Sequence, residues 1–323
     1  MAHQVRWGIL GTARINRRLV PAFRASKRGT LRAVASRDLA RAVAHARQYA
    51  IPNAVQGYQA LLDDPSIDAA YIPLPNTEHV PWTLAAIAAG KHVLCEKPLA
   101  LDPHDVDRIA AAAATAGVIV EEGFMFRHEP QTARVLSLLR DGAIGEVRAI
   151  VSGFTFMLEG DGNIRLNTAL GGGALWDVGV YPVNFAQLIA GHEPKMAVGT
   201  AHWTKTGVDA EFMGLLRFSE GLTASVYAGF RAEYRTWLEV LGSNGALTVP
   251  NPFRPGPLEV LELERGGNVE HIEVQGSPLI FARQVDDFEA RILDGAPAVV
   301  SLDDSRRTAS TIAALYASAA DDK

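Results

Sequence analysis

The chain has 323 residues, of which 48% are hydrophobic and 21% charged, and its formal net charge is −5. This is the composition of a globular protein with a sizeable core, and the length predicts about two domains. The mildly acidic balance with scattered charge disfavours nucleic-acid binding, and no run reaches the roughly 18 apolar residues that a membrane span needs.

The first third of the chain alternates short apolar runs with helix-like segments. Strands are predicted at residues 5–10, 31–35, 69–72, 93–95 and 118–120, and helices up to residue 24 and at 39–49, 78–89 and 102–116. Short apolar strands that alternate with helices are typical of a parallel, doubly wound α/β sheet. We therefore predict a nucleotide-binding domain of this kind over residues 1–122.

The pattern changes after residue 122. Helices are predicted at 131–140, 178–189, 280–293 and 304–317, a strand run at 145–157, and repeated strands of alternating polarity over 196–272. Turns such as Ser243-Asn244-Gly245 separate these strands, which predicts a mainly antiparallel sheet. Residues 123–323 are thus expected to form an α+β domain with a large open sheet. The exposed face of such a sheet needs cover, so we expect a homo-oligomer formed through it.

The cysteine and histidine content bears on location and on metals. The single cysteine, Cys95, can form no internal disulfide and matches no zinc cluster, and the histidines show no metal-ligand spacing. The first residues lack the charged start and apolar stretch of a signal peptide. We therefore expect a cytoplasmic protein without a catalytic metal.

A candidate dinucleotide-binding turn follows the first predicted strand. It consists of Gly11, Thr12, Ala13, Arg14 and Ile15. A tight turn at this position presents backbone N–H groups and a helix N-terminus to a pyrophosphate. Ala13 and Asn16 stand where the second and third glycines of the motif are usual, so the fragment alone fits an ordinary βα turn equally well.

The end of the second predicted strand distinguishes NADP from NAD. An NAD site places an acidic residue there to bind the ribose hydroxyls, whereas this strand ends in Ser36 and Arg37. A hydroxyl and a guanidinium suit a 2′-phosphate. Asp38 comes one position late and fits better as the cap of the next helix. These residues predict NADP, the alternative being that Arg37 is merely solvated.

A lysine follows the predicted strand at 93–95, in the tripeptide Glu96-Lys97-Pro98. Ligands of doubly wound folds lie at the carboxyl ends of strands, so Lys97 could direct its ammonium group at a bound cofactor. A surface lysine in a rigid loop is the alternative interpretation.

A second candidate group follows three glycines, Gly171 to Gly173. Asp177 and Tyr181 are four residues apart at the start of a predicted helix, so both project from one face. A phenol near an ammonium group is a sound proton relay, because the positive charge favours the phenolate. Spacing alone favours the alternative, a tyrosine packed in the core with Asp177 as a helix cap.

These segments resemble a known family. Glu96-Lys97-Pro98 and residues 171–181 are similar to the two hallmark segments of the glucose-fructose oxidoreductase / inositol dehydrogenase / rhizopine catabolism (Gfo/Idh/MocA) family. Residues 7–15, 123–131 and 142–147 match as well, and together they resemble the branch of NADP-dependent D-xylose dehydrogenases and dimeric dihydrodiol dehydrogenases. The resemblance runs from about residue 5 to 190.

The resemblance implies a role for each matching residue. Lys97 would orient the reacting oxygen, Tyr181 would be the general acid/base, and Asp177 would position the substrate or the relay. The remaining implied cofactor contacts are Leu74, Pro75, Asn76, His79, Glu96 and Arg165. We further expect the substrate pocket to include Phe126, Arg127, Phe156 and Trp176.

The predicted activity is direct hydride transfer between NADP and a hydroxyl or carbonyl carbon of a sugar or polyol. Many family members carry histidine where Tyr181 stands, whereas tyrosine is the form seen in the xylose, dihydrodiol and glucose-fructose types. The tyrosine of this chain therefore counts against inositol-type substrates. Two enzymatic alternatives stay open: a carbonyl or keto-sugar reductase, and a sugar–sugar oxidoreductase that retains its cofactor. A non-enzymatic alternative is an NADP-sensing regulatory binding protein.

Overall fold

The computed structural model of the protein describes residues 4–160 and 162–320, which form two compact units. The first unit consists of residues up to 125 together with 281–305, and the second of residues 126–280 together with those from 306 on. The chain thus returns to the first unit near its end. The assignment of NADP binding to residues 1–122, and of substrate binding and oligomerisation to 123–323, stays a prediction.

The first unit is built on a six-stranded sheet with the order β3-β2-β1-β4-β5-β6, in which every pairing is parallel. Its strands are β1 Val5–Leu10, β2 Gly29–Ser36, β3 Asn53–Gln56, β4 Ala69–Ile72, β5 His92–Glu96 and β6 Val120–Gly123. The predicted doubly wound sheet is confirmed. Trp7, Ile9 and Leu10 of β1 are fully buried, as expected for a central strand covered on both faces.

Helices connect these strands, and two of them begin at an aspartate cap, of which Asp38 was expected from the sequence. They are α1 Asn16–Ala25, α2 Leu39–Gln48, α3 Tyr58–Leu62, α4 Asn76–Ala88 and α5 Pro103–Ala116. The Asp38 carboxylate accepts the N–H of Ala40 at 2.7 Å at the start of α2, and that of Asp102 accepts the N–H of His104 at 2.8 Å in α5. These bonds satisfy N–H groups that a helix leaves unpaired.

Two parts of this unit differ most from the sequence expectation. β3 and α3 were not predicted, because β3 is a four-residue edge strand without a buried apolar run. β6 begins two residues later than predicted and extends to Gly123. The sequence pattern ended it early because Glu121 and Glu122 read as polar, although both are buried in the sheet.

The helix α8 Ala282–Asp294 belongs to the first unit, where it packs against β1 and α1. Trp7 donates its indole N–H to Glu289 Oε1 of α8 at 2.8 Å, and the Ser26 hydroxyl donates to the other oxygen of the same carboxyl group. Burial raises the pKa of Glu289. A buried carboxyl group therefore fastens this late segment to the first strand.

The second unit is built on an eight-stranded sheet with the order β14-β13-β12-β11-β7-β10-β9-β8. Its strands are β7 Val147–Thr155, β8 Met196–Trp203, β9 Asp209–Arg217, β10 Thr223–Gly229, β11 Arg235–Gly242, β12 Ala246–Pro250, β13 Leu258–Arg265 and β14 Asn268–Gln275. The pairing of β7 with β10 is parallel and the others are antiparallel, so the predicted mainly antiparallel sheet is confirmed. β7 lies between β11 and β10, although it precedes both in the chain, and a simple meander would not predict this position.

One face of this sheet is covered and the other is open. The helices of the unit are α6 Pro130–Arg140, α7 Val180–Ala190 and the part of α9 Leu302–Ser318 from residue 306 on. α7 packs against β7 and β10, and Leu315 of α9 lies over Gly214 of β9. On the opposite face Met213 is 56% exposed and Leu215 is 44% exposed. Within the described ranges, no helix is long and apolar enough to cross a bilayer.

Replacing Glu289 by Ala should destabilise the protein, because the buried Trp7 indole N–H and the Ser26 hydroxyl would lose their acceptor. An unsatisfied buried polar group costs about 1–3 kcal/mol. We expect the thermal unfolding midpoint, measured by circular dichroism, to fall by several degrees. Asp294→Ala in the same helix removes only an exposed ion pair with Arg28 and is the control. Equal midpoints for the two variants would show that the Glu289 contacts do not hold the helix.

Candidate active site

The turn after β1 has the geometry of a phosphate-binding turn. Gly11 has φ +113°, and a Cβ there would lie 2.8 Å from Leu74 Cδ2, so only glycine fits without displacement. Asn16 donates its side-chain N–H to the Gly11 carbonyl at 3.0 Å and holds the turn. Among the described side chains, none caps the start of α1. The first N–H groups of the helix donate to the backbone carbonyls of Ala13, Arg14 and Ile15, so a pyrophosphate here would meet the N–H groups of the turn that precedes them.

The end of β2 carries a cation and no free carboxylate. Ser36 is buried and Arg37 is exposed, with a hydrogen bond between Arg37 and the Tyr58 hydroxyl. The Asp38 carboxylate accepts the N–H of Ala40 as the α2 cap and is thus engaged with its own helix. This arrangement fits a ribose 2′-phosphate better than two ribose hydroxyls, which need a carboxylate acceptor. The residues at β1 and β2 therefore fit NADP.

His79 of α4 ties two loops of the first unit together. Its Nδ1 lies 2.7 Å from the Pro98 carbonyl and its Nε2 lies 2.8 Å from the Leu74 carbonyl. Burial lowers the pKa of His79, against the opposing effect of the two carbonyl oxygens. The ring is almost fully buried between the loop after β4 and the loop after β5, and in its neutral form it donates to one of the two carbonyls and packs against the other. Pro75 and Asn76 lie partly exposed at the first of these loops.

Lys97 follows β5 directly, at the same sheet edge as the turns after β1, β2 and β4. Its side chain is half-buried. The neighbouring Glu96 carboxylate accepts the Tyr71 hydroxyl at 2.6 Å, which anchors the end of β5 to β4. The structure thus brings Gly11, Leu74, His79 and the Lys97 turn to one edge of one unit.

In the second unit, Tyr181 lies in an aromatic cluster formed by Phe126, Phe154, Phe185, Phe253 and Tyr181 itself. Ring centroids are 5.6 Å apart for Phe154 and Tyr181 and 5.5 Å for Phe253 and Tyr181. Tyr181 is 4% exposed. Water is excluded from the ring, which strengthens electrostatic effects on the phenol.

Asp177 pairs with a cation and does not act as a simple helix cap. Arg165 donates its Nε–H to Asp177 Oδ2 at 2.5 Å. The carboxylate of Asp177, together with the nearby Tyr181, raises the pKa of Arg165 above its usual value. Asp177 lies in a π-type turn, Leu175–Gly179, that precedes α7. Such turns recur at functional sites. The structure thus brings Arg165, Asp177 and Tyr181 together.

A residue that the sequence analysis missed holds the glycine turn before this helix. Asp209 accepts the Leu175 N–H at 2.7 Å and the Tyr316 hydroxyl at 2.6 Å. Gly173 has φ +129°, and a Cβ there would lie 2.3 Å from Asp209 Oδ1. Burial raises the pKa of Asp209. No local pattern could have shown this, because Asp209 is 34 residues from Leu175 along the chain.

The four residues expected in the substrate pocket have different surroundings within the second unit. Phe126 and Trp176 are buried, Phe126 in the aromatic cluster and Trp176 beside Tyr316. Phe156 is half-buried and lies 5.9 Å below the Arg165 guanidinium. Arg127 donates to Asn184 Oδ1 at 3.2 Å. Their contact with substrate stays a prediction. No group of three metal-binding side chains occurs among the residues the structure describes.

Comparison with known proteins gives matches over both units. Residues 5–124 match the model of the oxidoreductase family GFO_IDH_MocA with an NAD-binding Rossmann fold, and residues 132–248 match the GFO/IDH/MocA C-terminal domain. D-xylose 1-dehydrogenase (NADP(+)) 2 of Haloferax volcanii is 36% identical, over 97% of both chains. dTDP-3,4-didehydro-2,6-dideoxy-alpha-D-glucose 3-reductase of Actinomadura kijaniata is 35% identical, over 99% of this chain and 97% of the relative.

The structural neighbours agree. The structure of a 3-ketoreductase from Actinomadura kijaniata, in complex with NADP and TDP-benzene, superposes with a TM-score of 0.91 at 35% identity over 98% of both chains. The resemblance seen in the sequence is confirmed. The chain belongs to the Gfo/Idh/MocA family of oxidoreductases.

Proposed function

We propose that this protein transfers a hydride between NADP and a hydroxyl or carbonyl carbon of a sugar or polyol, with Tyr181 as the general acid/base. The observation that carries the proposal is the cluster of Tyr181, Arg165 and Asp177. A phenol in a water-poor aromatic surrounding, with a fixed guanidinium nearby, is suited to exchange a proton. The predictions of an oxidoreductase acting on such groups, and of NADP as its cofactor, are confirmed.

The proposed roles follow from what each side chain can do. NADP supplies the hydride acceptor or donor when it is bound. Tyr181 takes the hydroxyl proton in oxidation and returns it in reduction. Lys97 donates to the reacting oxygen and stabilises the negative charge that develops on it. Asp177 keeps the Arg165 guanidinium in place through their 2.5 Å contact. The partial burial of the Asp177 side chain shields that contact from solvent screening.

The proposed cofactor contacts divide by position. The turn Gly11 to Ile15 and the start of α1 would bind the pyrophosphate, and Ser36 with Arg37 would bind the 2′-phosphate. The loop Leu74 to Asn76 and the Glu96–Lys97 segment would lie against the ribose and nicotinamide. His79 would act by fixing that loop, since both its ring nitrogens contact backbone carbonyls.

Replacing Lys97 by Ala or Tyr181 by Phe should each lower kcat by about 10²–10⁴-fold, because each removes a group that acts on the transferred proton or on the oxygen charge. Turnover is measured from NADPH absorbance with pyranoses, polyols, diols and keto sugars in both directions, with NAD(H) for comparison. NADPH affinity, from nucleotide fluorescence, should stay nearly unchanged.

Tyr49→Phe is the matched control for Tyr181→Phe, because Tyr49 packs on His45 at the end of α2. Near-normal turnover in Lys97→Ala and Tyr181→Phe would reject both assignments. NADPH binding without turnover of any compound by the wild-type protein would instead favour the regulatory alternative.

One observation favours a second candidate, reduction of a keto sugar that carries an anionic group. Arg254 lies after β12, with its guanidinium 5.2 Å from the centre of the Phe154 ring. Its Nε is buried and has no acceptor among residues 4–160 and 162–320. A buried cationic N–H without an acceptor is costly, and an anionic ligand would satisfy it. Phe154 also contacts Tyr181, so the cation and the proposed acid/base share one aromatic neighbour.

Replacing Arg254 by Met should raise KM roughly 10–100-fold for an anionic sugar, because a hydrogen bond to a charged group contributes about 1.5–3 kcal/mol. KM for a neutral aldose should stay the same. Nucleotide-linked keto sugars, sugar phosphates and uronates are compared. Arg235→Met is the control, since Arg235 stacks on Trp237 in a similar cation–π contact. Equal effects on neutral and anionic substrates would remove the support for this candidate.

We also propose a homo-oligomer formed through the open face of the second sheet, in the cytoplasm as the single buried cysteine suggests. Val198, Met213, Leu215 and Leu241 expose apolar side chains there, and the half-buried rings of Tyr227 and Trp237 lie 6.4 Å apart. Exposed apolar area of this kind is typical of an interface between subunits.

Light scattering should give a solution mass that is a multiple of the 34.7 kDa chain. Met213→Glu with Leu215→Glu should lower it to the monomer mass, because burying two carboxylates costs several kcal/mol. Leu39→Glu is the control, because Leu39 is an exposed leucine of the first unit. A monomeric wild-type protein would contradict the proposal.

A further inference from the structure

Glu122 is a buried carboxyl group that the proposed mechanism does not use. It lies on β6, opposite Cys95 of β5 in the parallel register, and is 2% exposed. Its Oε1 accepts the N–H of Leu99 at 2.9 Å, and the Ser305 hydroxyl forms a second hydrogen bond. Burial raises the pKa of Glu122 from its usual value to about 7, and these bonds oppose that rise only in part.

One hydrogen-bond partner of this carboxyl group, Leu99, leads to Lys97. Leu99 is two residues after Lys97, so its hydrogen bond fixes the turn that carries the lysine. The Lys97 ammonium is close enough to attract the carboxylate electrostatically. Ser305 lies in the first turn of α9, where the helix dipole also favours a negative charge. The charge of Asp304 in the same turn disfavours a negative charge on Glu122. Cys95, which faces Glu122 from β5, is a buried thiol.

We propose that Glu122 is a positioning residue for Lys97, holding the Lys97–Leu99 turn and supplying the negative charge that balances the lysine ammonium. This rests on the proposed role of Lys97 at the reacting oxygen. The carboxyl group does not touch substrate. It acts through the position and surroundings of the lysine.

A group of this pKa changes charge in the neutral range. Between pH 6 and pH 8 the ionised fraction rises from about one-tenth to about nine-tenths. Below pH 7 the lysine turn is held by a neutral acid, and above pH 7 by a carboxylate. Turnover should therefore contain a step centred near pH 7 that rises with pH by up to roughly tenfold.

The first test is the pH profile of kcat for Glu122→Gln. The amide oxygen still accepts the Leu99 N–H, so the turn keeps its hydrogen bond while the titratable charge is lost. We expect the step near pH 7 to disappear, NADPH affinity to stay unchanged, and Glu122→Asp to restore part of the step. Glu121→Gln is the matched control, because Glu121 is an equally buried carboxylate on the same strand that pairs with Arg291. An unchanged profile, or a uniform loss of kcat at all pH values, would overturn the proposal.

The second test does not depend on activity or on folding of the glutamine variant. With carboxyl ¹³C-labelled glutamate, the titration of Glu122 is followed by NMR in the wild-type protein and in Lys97→Met. Because the ammonium favours the carboxylate, its removal should move the Glu122 midpoint to higher pH. A midpoint that does not move would overturn the proposal that the Glu122 carboxylate balances the charge of Lys97. Failure of the proposed function would show separately, as normal turnover in Lys97→Ala.

Discussion

Two turns next to candidate catalytic residues are each held by a buried carboxyl group that accepts a backbone N–H. In the first unit Glu122 accepts the N–H of Leu99, and in the second Asp209 accepts the N–H of Leu175. Neither acid was identified in the sequence analysis, yet each hydrogen-bonds a turn next to residues that were. A short loop has few contacts of its own, so a single strong acceptor from the core can define its conformation.

Such acceptors carry an energetic cost, which explains why they are few and why they titrate unusually. An ionised carboxyl group loses its hydration on burial, and hydrogen bonds return only part of that free energy. The pKa values of Glu122, Asp209 and Glu289 are all raised for this reason. As acids with raised pKa, they favour folding most strongly below their unfolded pKa. That contribution is lost as pH rises toward the folded value, which for Glu122 is the range from about 4.5 to 7.

The sequence predicts the regular parts of the fold well, because the apolar residues of the sequence pattern are the residues that are buried there. β1 and β4 have the predicted bounds, since each is a continuous apolar run between polar turns. β3 has no such run, and the predicted end of β6 was too early because two buried glutamates interrupt its apolar pattern. The position of β7 between β10 and β11 follows from long-range pairing, which no local pattern contains.

The same distinction applies to the candidate site. The residues placed by local motifs, such as Lys97, Asp177 and Tyr181, could be named from the sequence, whereas Asp209 and Glu122 could not. Spacing alone favoured a core tyrosine with Asp177 as a cap, and half of this is correct. Tyr181 is indeed buried, but the Asp177 side chain is paired with Arg165. A cap and an ion pair leave the same trace in sequence because both use a short acidic side chain at a helix start.

The charge balance around Tyr181 limits what the second unit can accept. Arg165 is matched by Asp177, so this pair adds no net charge near the phenol. The Arg254 guanidinium, on the Phe154 ring that also contacts Tyr181, has no such counter-ion in the described ranges. Arg254 therefore brings a positive charge to the Phe154 ring of the aromatic cluster, and its buried Nε has no acceptor in the described part of the chain. In the proposed mechanism a Tyr181 phenolate would offset this charge, and so would an anionic substituent on the substrate. The two would compete for the same cation, so an anionic substrate would weaken the support for the phenolate and keep the Tyr181 hydroxyl in its protonated form.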